Sequence, residues 1–511
     1  MKIETSRNFK FEIGDGEYWY GLCARHGRQY PLSKNSDYSH DFRWNFTANQ
    51  EAPLMLSSDG KYIWSEEPFK VTVKDGVLEI EGKEDIEYCE GLSSLREAFL
   101  AASAKHFPAN GEYPPEDFII KPQYNTWIEL IYDQNQKDIL KYAHDILDNG
   151  LPAGIIMIDD NWNRYYGCWE FRKEAFPDPR AMCDELHSMG FSVMLWVCPF
   201  ISPDSAEFRE TRAKGLLVRD KDGRVVIREW WNGYSAILDL SNPDAEKWFC
   251  EKIDRLINEY GIDGVKLDAG DAQYYRDDDK TFGNVSAHTQ TELWAKLGLK
   301  YRFNEFRACF KAAGLPLVQR LHDKLHNWPE GVVPLIPDSL SQGILGYAFS
   351  CPDMIGGGAY TEFLPGSLNL DEELFVRYAQ CSALLPMMQY SAAPWRILSA
   401  ENAQYCIEAG KLHERFSGEI LELVKHAAKT GEPIVRYMEY SFPHQGMAGI
   451  TDQFMLGDRV LVAPVIEKGA TTRTVTLPTG KWKYCDGTVY DGNTTVIVPA
   501  PINTLPYFEL A

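Results

Sequence analysis

The chain has 511 residues, a net charge of -22, 44% hydrophobic and 25% charged residues, the balance of a folded globular protein with more than one core. So acidic a surface repels nucleic acid and anionic membranes, which are bound mainly through Lys and Arg, and neither is expected as a partner. The start MKIETSRNFKFEIGDG has no apolar h-region, no long apolar run follows, and the 11 cysteines form neither a CxxC pair nor a zinc-spaced Cys/His cluster, so a soluble cytoplasmic protein with buried reduced thiols is expected.

Residues 1 to about 95 alternate short apolar runs with turn signals. KVTVKDG followed by VLEIEG reads as a hairpin on an Asp-Gly turn. An N-terminal antiparallel β-sandwich over 1–114 is expected. From about 118 the pattern changes to strands alternating with amphipathic helices. In order these are FIIKPQYNTW (strand), QNQKDILKYAHDILDNG (helix), GIIMIDD (strand), PRAMCDELHSMG (helix), SVMLWVCPF (strand) and NPDAEKWFCEKIDRLINEYG (helix). DGVKLDAG (strand), a helix ending at Gly314, LPLVQRL and GYAFSCPDM (strands), DEELFVRYAQCSALLP (helix), MMQYS (strand) and a long helix near 401–430 follow. About eight strands and no GxGxxG after the first favour a (β/α)8 TIM barrel over 115–430 rather than a dinucleotide-binding sheet. DRVLVAPVI, TRTVTLPTGKWKYC and TVYDGNTTVIVPA read as a C-terminal antiparallel β-sandwich over 431–511.

A barrel presents its chemistry at the C-terminal ends of its strands. Those ends here carry Thr126-Trp127, Asp159-Asp160-Asn161-Trp162, Trp196, Lys266-Leu267-Asp268, Arg320-Leu321-His322-Asp323 and Pro352-Asp353, and the loop REWWNG adds Arg228, Trp230 and Trp231. A lone Asp at such a place is ordinarily a cap or a loop solvator; carboxylates and aromatics recurring together at these strand ends are harder to explain that way. Glycoside cleavage uses one carboxylate to attack the anomeric carbon and another to protonate the leaving oxygen. Lys266 lies two residues before Asp268, so both face the barrel interior, and a cation there keeps Asp268 ionised. The alternative for that pair is a structural ion pair. Aromatic residues at 13%, with 14 Trp and 27 Tyr, suit either a well-filled core or pyranose stacking. His322 and His326 flank Asp323 without a further ligand cluster, and no ligand-rich loop follows Asp159-Asp160, so no metal or other cofactor is expected.

The stretches GVKLDAGD, RLHDKLHNW, LIPDSLSQGILGYAFSCPDMIGGG, LPMMQYSAAPW and GDRVLVAPVIEKGATTRTVTLPTGKW resemble glycoside hydrolase family 31, in the branch of the myogenesis-regulating glycosidase and its bacterial and insect relatives. The likeness spans roughly residues 120 to 511 in family order. It implies a retaining exo-α-glycosidase, with Asp268 as nucleophile and Asp323 as acid/base. It also implies Asp159, Asp160, Lys266, Arg320 and Asp353 as ligands of sugar hydroxyls, with Trp127, Trp162, Trp196 and Trp230 as stacking candidates. Two departures stand out. Pro352 occupies the place where many members carry His before the Asp of the Gly-Gly motif. Asp323 precedes Trp328, whereas many α-glucosidases of the family place the acid after a Trp-x-Gly-Asp turn. Asp338 and Asp271 remain rivals for the acid. The expected substrate is a small oligosaccharide or α-glycoside, with a terminal α-galactoside favoured. An α-glucosidase, a sucrose hydrolase, a transglycosylase, a sugar-binding pseudoenzyme and a metal-dependent barrel hydrolase are the competing readings, and the oligomeric state is left open.

Overall fold

The computed structural model describes residues 1–44, 49–364, 367 and 370–511. Near the N-terminus, strands Phe69–Lys74 and Val77–Glu90 pair as the expected hairpin. Its turn residues Asp75 and Gly76 have φ of 51° and 78°, the positive values that a two-residue hairpin of matching twist requires. These strands belong to an eight-stranded sheet, antiparallel but for one pairing: Cys309–Phe310, sent out from the barrel, lies parallel to Gln50 and Glu51. Trp19, Leu22, Met55, Ile63, Val71, Leu78 and Ile80 form the core of this unit. Helix Leu95–His106 leads from it towards the barrel.

The barrel is built from eight parallel strands among the described residues: β1 (Gln123–Asn125), β2 (Ile155–Ile158), β3 (Ser192–Val197), β4 (Gly264–Leu267), β5 (Phe303–Phe306), β6 (Val318–Arg320), β7 (Ser350–Cys351) and β8 (Gln389–Tyr390). Neighbours pair in chain order from β1 to β7, and β8 returns to β1. The seam between β7 and β8 is stitched by Ile355 N donating to Gln389 O at 2.9 Å. Strands such as IIMI in β2 are apolar throughout because a parallel sheet covered by helices is buried on both faces. The intervening helices start and stop on local signals. In helix Pro243–Tyr260, Asn242 accepts from Asp244 N, Pro243 occupies the first turn, and Gly261 closes the end at φ 77°.

Two expectations are corrected. FIIKPQYNTW is not one strand: Asp117–Ile120 is a short helix and only Gln123–Asn125 enters the sheet. No helix runs to Gly314; that helix is Ala287–Gly298, and FNEF after it is β5. Its Glu305 points inward for a reason. Register aligns Trp196, Lys266 and Glu305 across β3, β4 and β5, and Glu305 meets the Arg320 guanidinium at 3.5 Å and accepts from Gln389 Nε2 at 2.9 Å. Buried charge is tolerated where it is paired in this way.

Helix Ala400–Thr430 ends at Gly431, and a C-terminal sandwich follows. A six-stranded sheet and the pair Thr472–Leu477 with Thr494–Pro499 close on Met455, Leu461, Val475, Trp482, Val498 and Phe508. All eleven cysteines are free and ten are buried. Among the described residues, no helix is long and apolar enough to cross a membrane.

Candidate active site

A cavity of ≈ 430 Å³ opens at the C-terminal ends of the strands, with Trp127, Asp159, Asp160, Trp196, Lys266, Asp268, Arg320 and Asp323 in its wall. Asp268 follows β4 directly. It is fully buried, which alone would raise its pKa, but Arg307, then Lys266 and Arg320, outweigh burial and hold the carboxyl well below the usual range. The contacts are specific. Arg307 Nε donates to Oδ1 at 3.0 Å, Ala269 N to Oδ1 at 2.8 Å and Trp196 Nε1 to Oδ2 at 2.9 Å. Ala269 takes φ 56°, a strained value for a residue with a side chain, at the point where the chain turns to aim Asp268.

The ion pairs are distributed differently from the sequence reading. Lys266 Nζ donates to Asp159 Oδ2 at 2.7 Å, so its help to Asp268 is through space. The guanidinium that touches Asp268 belongs to Arg307, which also donates to Asp271 at 3.0 and 2.8 Å. Asp160 accepts from Tyr166 Oη at 2.9 Å and Asn232 Nδ2 at 2.7 Å; burial pushes it up to about 7.

Asp323 differs from every carboxylate around it, because its side chain is 48% exposed. Arg320 Nη1 donates to its Oδ1 at 2.9 Å and to Asp353 Oδ1 at 2.5 Å. The glycines of MIGGG back this group. A Cβ on Gly358 would sit 2.8 Å from the Asp323 Cγ, and Gly356 and Gly357 have φ of 90° and 98°. The rivals are engaged elsewhere. Asp338 is buried within helix Leu335–Ile344, where it pairs with Lys324 and makes no cap bond. Asp271 is held on two oxygens by Arg307. Neither lines the cavity.

Three sequence candidates lie outside the wall. Asp353 is buried behind it, pinning Arg320, Lys324 N and Gly358 N; burial pushes it up to about 7. Trp162 is 0% exposed, packs on Trp169 and Phe171, and donates from Nε1 to Trp196 O. Trp230 is buried against Phe200 with ring centroids 4.2 Å apart, and its neighbour Trp231, 49% exposed, takes the cavity side with Arg307 over its ring. Trp196 lines the cavity but is itself almost fully buried, bonded to Asp268.

Sequence reasoning missed Arg25, Gln273, Tyr274, Arg307 and Tyr360, all in the wall. Arg307 follows β5, so recognising FNEF as a strand would have found it. Arg25 comes from the N-terminal sheet unit and carries no local signal.

A (β/α)8 barrel with carboxylates gathered at one rim and β-rich units on either side is the class that this architecture defines. The chain matches the glycosyl hydrolases family 31 TIM-barrel domain over residues 123–415 and the glycosyl hydrolase family 31 C-terminal domain over residues 431–509. It therefore belongs to glycoside hydrolase family 31. It is 31% identical to the myogenesis-regulating glycosidase of Mus musculus over 80% of this chain and 58% of that protein. It is 25% identical to alpha-glucosidase 2 of Bacillus thermoamyloliquefaciens over 73% of this chain and 50% of that protein. It thus spans about half the length of these relatives. A Flavobacterium johnsoniae GH31 dextranase complexed with glucose shares the fold at TM-score 0.87, with 21% identity, over 98% of this chain and 66% of that one.

Proposed function

We propose that the chain is a retaining exo-α-glycosidase. The observation that carries this is the contrast between two carboxylates in one cavity: Asp268, buried and held ionised by Arg307, Lys266 and Arg320, and Asp323, half-exposed opposite the Gly358 backbone. An ionised, oriented carboxylate suits attack on an anomeric carbon. A solvent-facing one suits proton transfer to the departing oxygen and then from the incoming water. In the first step Asp268 Oδ bonds to the anomeric carbon as the glycosidic C–O bond breaks, and the proton of Asp323 goes to the leaving oxygen. In the second, water attacks that carbon, gives its proton to Asp323 and releases Asp268 as carboxylate. Asp159 and Asp160 supply acceptors for ring hydroxyls, and Trp127 and Trp231 supply ring faces.

The proposed substrate is a terminal α-galactoside. Galactose and glucose differ in the orientation of the 4-hydroxyl, and a site bonded to one leaves buried polar groups unpaired with the other. Pro352 has no side-chain donor or acceptor, so the grip on the ring comes from elsewhere, and Asp159, Asp160 and Arg320 gather beside Asp268 to supply it. The α-glucoside reading is favoured by the names of relatives, which include an alpha-glucosidase and a dextranase. A panel of p-nitrophenyl glycosides separates them: kcat/KM is expected to be higher for the α-galactoside than for the α-glucoside. A preference for the glucoside, or turnover of sucrose without galactoside, would overturn the specificity and leave the retaining mechanism standing.

A further inference from the structure

Cys23, His26 and His40 converge on the N-terminal sheet unit, with one ligand atom of each lying within 4.8 Å of the others. The backbone builds this convergence. Strand Trp19–Cys23 slips its register against Gln50–Ser57 between Gly21 and Cys23, and Leu22 there takes φ 68°. A buried leucine adopts that left-handed value only under constraint, and a bulge of this kind re-aims the side chain that follows it. The 3₁₀ turn Ala24–Gln29 comes next. Residues three apart in such a turn stand one above the other, which brings His26 over Cys23. His40 arrives from strand Tyr38–Asp41 on the same face as Tyr38, whose hydroxyl lies 3.1 Å from His26 Nδ1. The two imidazoles meet nearly at right angles with centroids 4.7 Å apart.

Among the described residues, His40 Nε2 is buried and has no hydrogen-bond partner, an arrangement that ordinarily costs stability. Neither the proposed cleavage nor the barrel's ion pairs use any of the three side chains.

We propose that Cys23, His26 and His40 bind one zinc-class divalent cation. A thiolate with two imidazoles is a donor set that zinc favours. Tetrahedral zinc places such donors roughly 3.3–3.6 Å apart, so binding draws the side chains in by about 1 Å. The Cys23 sulfur bonds to the metal as its proton passes to solvent. Of the three, His26 borders a polar cavity of ≈ 510 Å³ that Arg25, Arg28, His322, Glu330 and Asp338 also line. The cation then ties strand Tyr38–Asp41 to the turn that carries Arg25 into the catalytic cavity wall. Spacing along the chain hides this set, because His40 belongs to a different element from Cys23 and His26.

Metal content of the full chain tests the proposal. Wild type, Cys23→Ser, His40→Gln and a control, Cys485→Ser, are incubated with excess zinc, dialysed against metal-free buffer and measured by plasma mass spectrometry. About one zinc per chain is expected in wild type and control, and less than about a tenth of that in the other two. Dipicolinate should lower the Tm of wild type and leave His40→Gln unmoved, which keeps a readout if Cys23→Ser fails to fold. Less than about 0.1 zinc per wild-type chain, or wild-type retention by His40→Gln, would overturn the assignment.

Discussion

Replacing Arg307 by leucine removes one cation that serves two buried carboxylates. Arg307 holds Asp268 at 3.0 Å and Asp271 at 3.0 and 2.8 Å. At that distance and an effective dielectric of about 20, one such pair is worth about 5 kcal/mol before desolvation. Breaking a buried pair costs about 3–5 kcal/mol net, because the surviving charge keeps its burial and loses its partner. In the intact protein the Asp268 carboxyl is depressed. Its contribution to stability is therefore present above the ordinary carboxylate range and lost only as pH falls through the depressed value. Without Arg307, burial is opposed only by Lys266, Arg320 and the hydrogen bonds from Trp196 and Ala269, and the carboxyl rises. The expected Arg307→Leu phenotype is a Tm lower by several degrees at pH 7, part of it regained as pH falls, and an acidic limb of kcat/KM displaced upward. At about 1.4 kcal/mol per pH unit that energy moves the carboxyl up by about 2–4 units, so the ratio of kcat/KM at pH 4 to that at pH 7 should fall below the wild-type ratio. The assay is p-nitrophenyl α-galactoside hydrolysis from pH 4 to 9, with thermal melts in parallel. A wild-type ratio and an unmoved Tm would refute the assignment of Arg307 as the group that keeps Asp268 ionised.

Asp323→Asn should slow substrates with poor leaving groups by about 10²–10⁴ while sparing activated aryl glycosides; equal loss on both would contradict Asp323 as the acid/base. Trp231→Ala should raise KM about 3–10-fold, the value of one lost aromatic contact, with Tm unchanged. Trp230→Ala should instead cost about 3–5 kcal/mol of stability by emptying its place against Phe200, and a thermal melt that ranks the two variants the other way would contradict their placement.

Much of the fold was legible because its signals are local. The Asp-Gly hairpin, the capped helix Pro243–Tyr260 and apolar strands such as IIMI each follow from a few neighbouring residues. FNEF departs from the apolar pattern of a buried strand because its inward Glu305 serves Arg320 and Gln389 from other strands. The same dependence on distant partners hid Arg307. Strand ends located Asp159, Asp160, Lys266, Asp268, Arg320 and Asp323 at one cavity. They could not say which of two adjacent tryptophans faces it, nor that Asp353 lies behind Arg320 rather than in the wall. Arg25 comes to the site from a different unit of the chain, and no pattern within the barrel announces it.

Trapping the covalent intermediate tests the central claim most directly. The chain is incubated with a 5-fluoro-α-galactosyl fluoride, digested with protease and sequenced by mass spectrometry. One fluorogalactosyl group is expected per chain, on the carboxylate of Asp268 in the peptide containing GVKLDAGD. A label on Asp160, Asp271 or Asp323 instead, or turnover of the reagent with inversion and no adduct, would contradict the assignment of Asp268 as the nucleophile of a retaining enzyme.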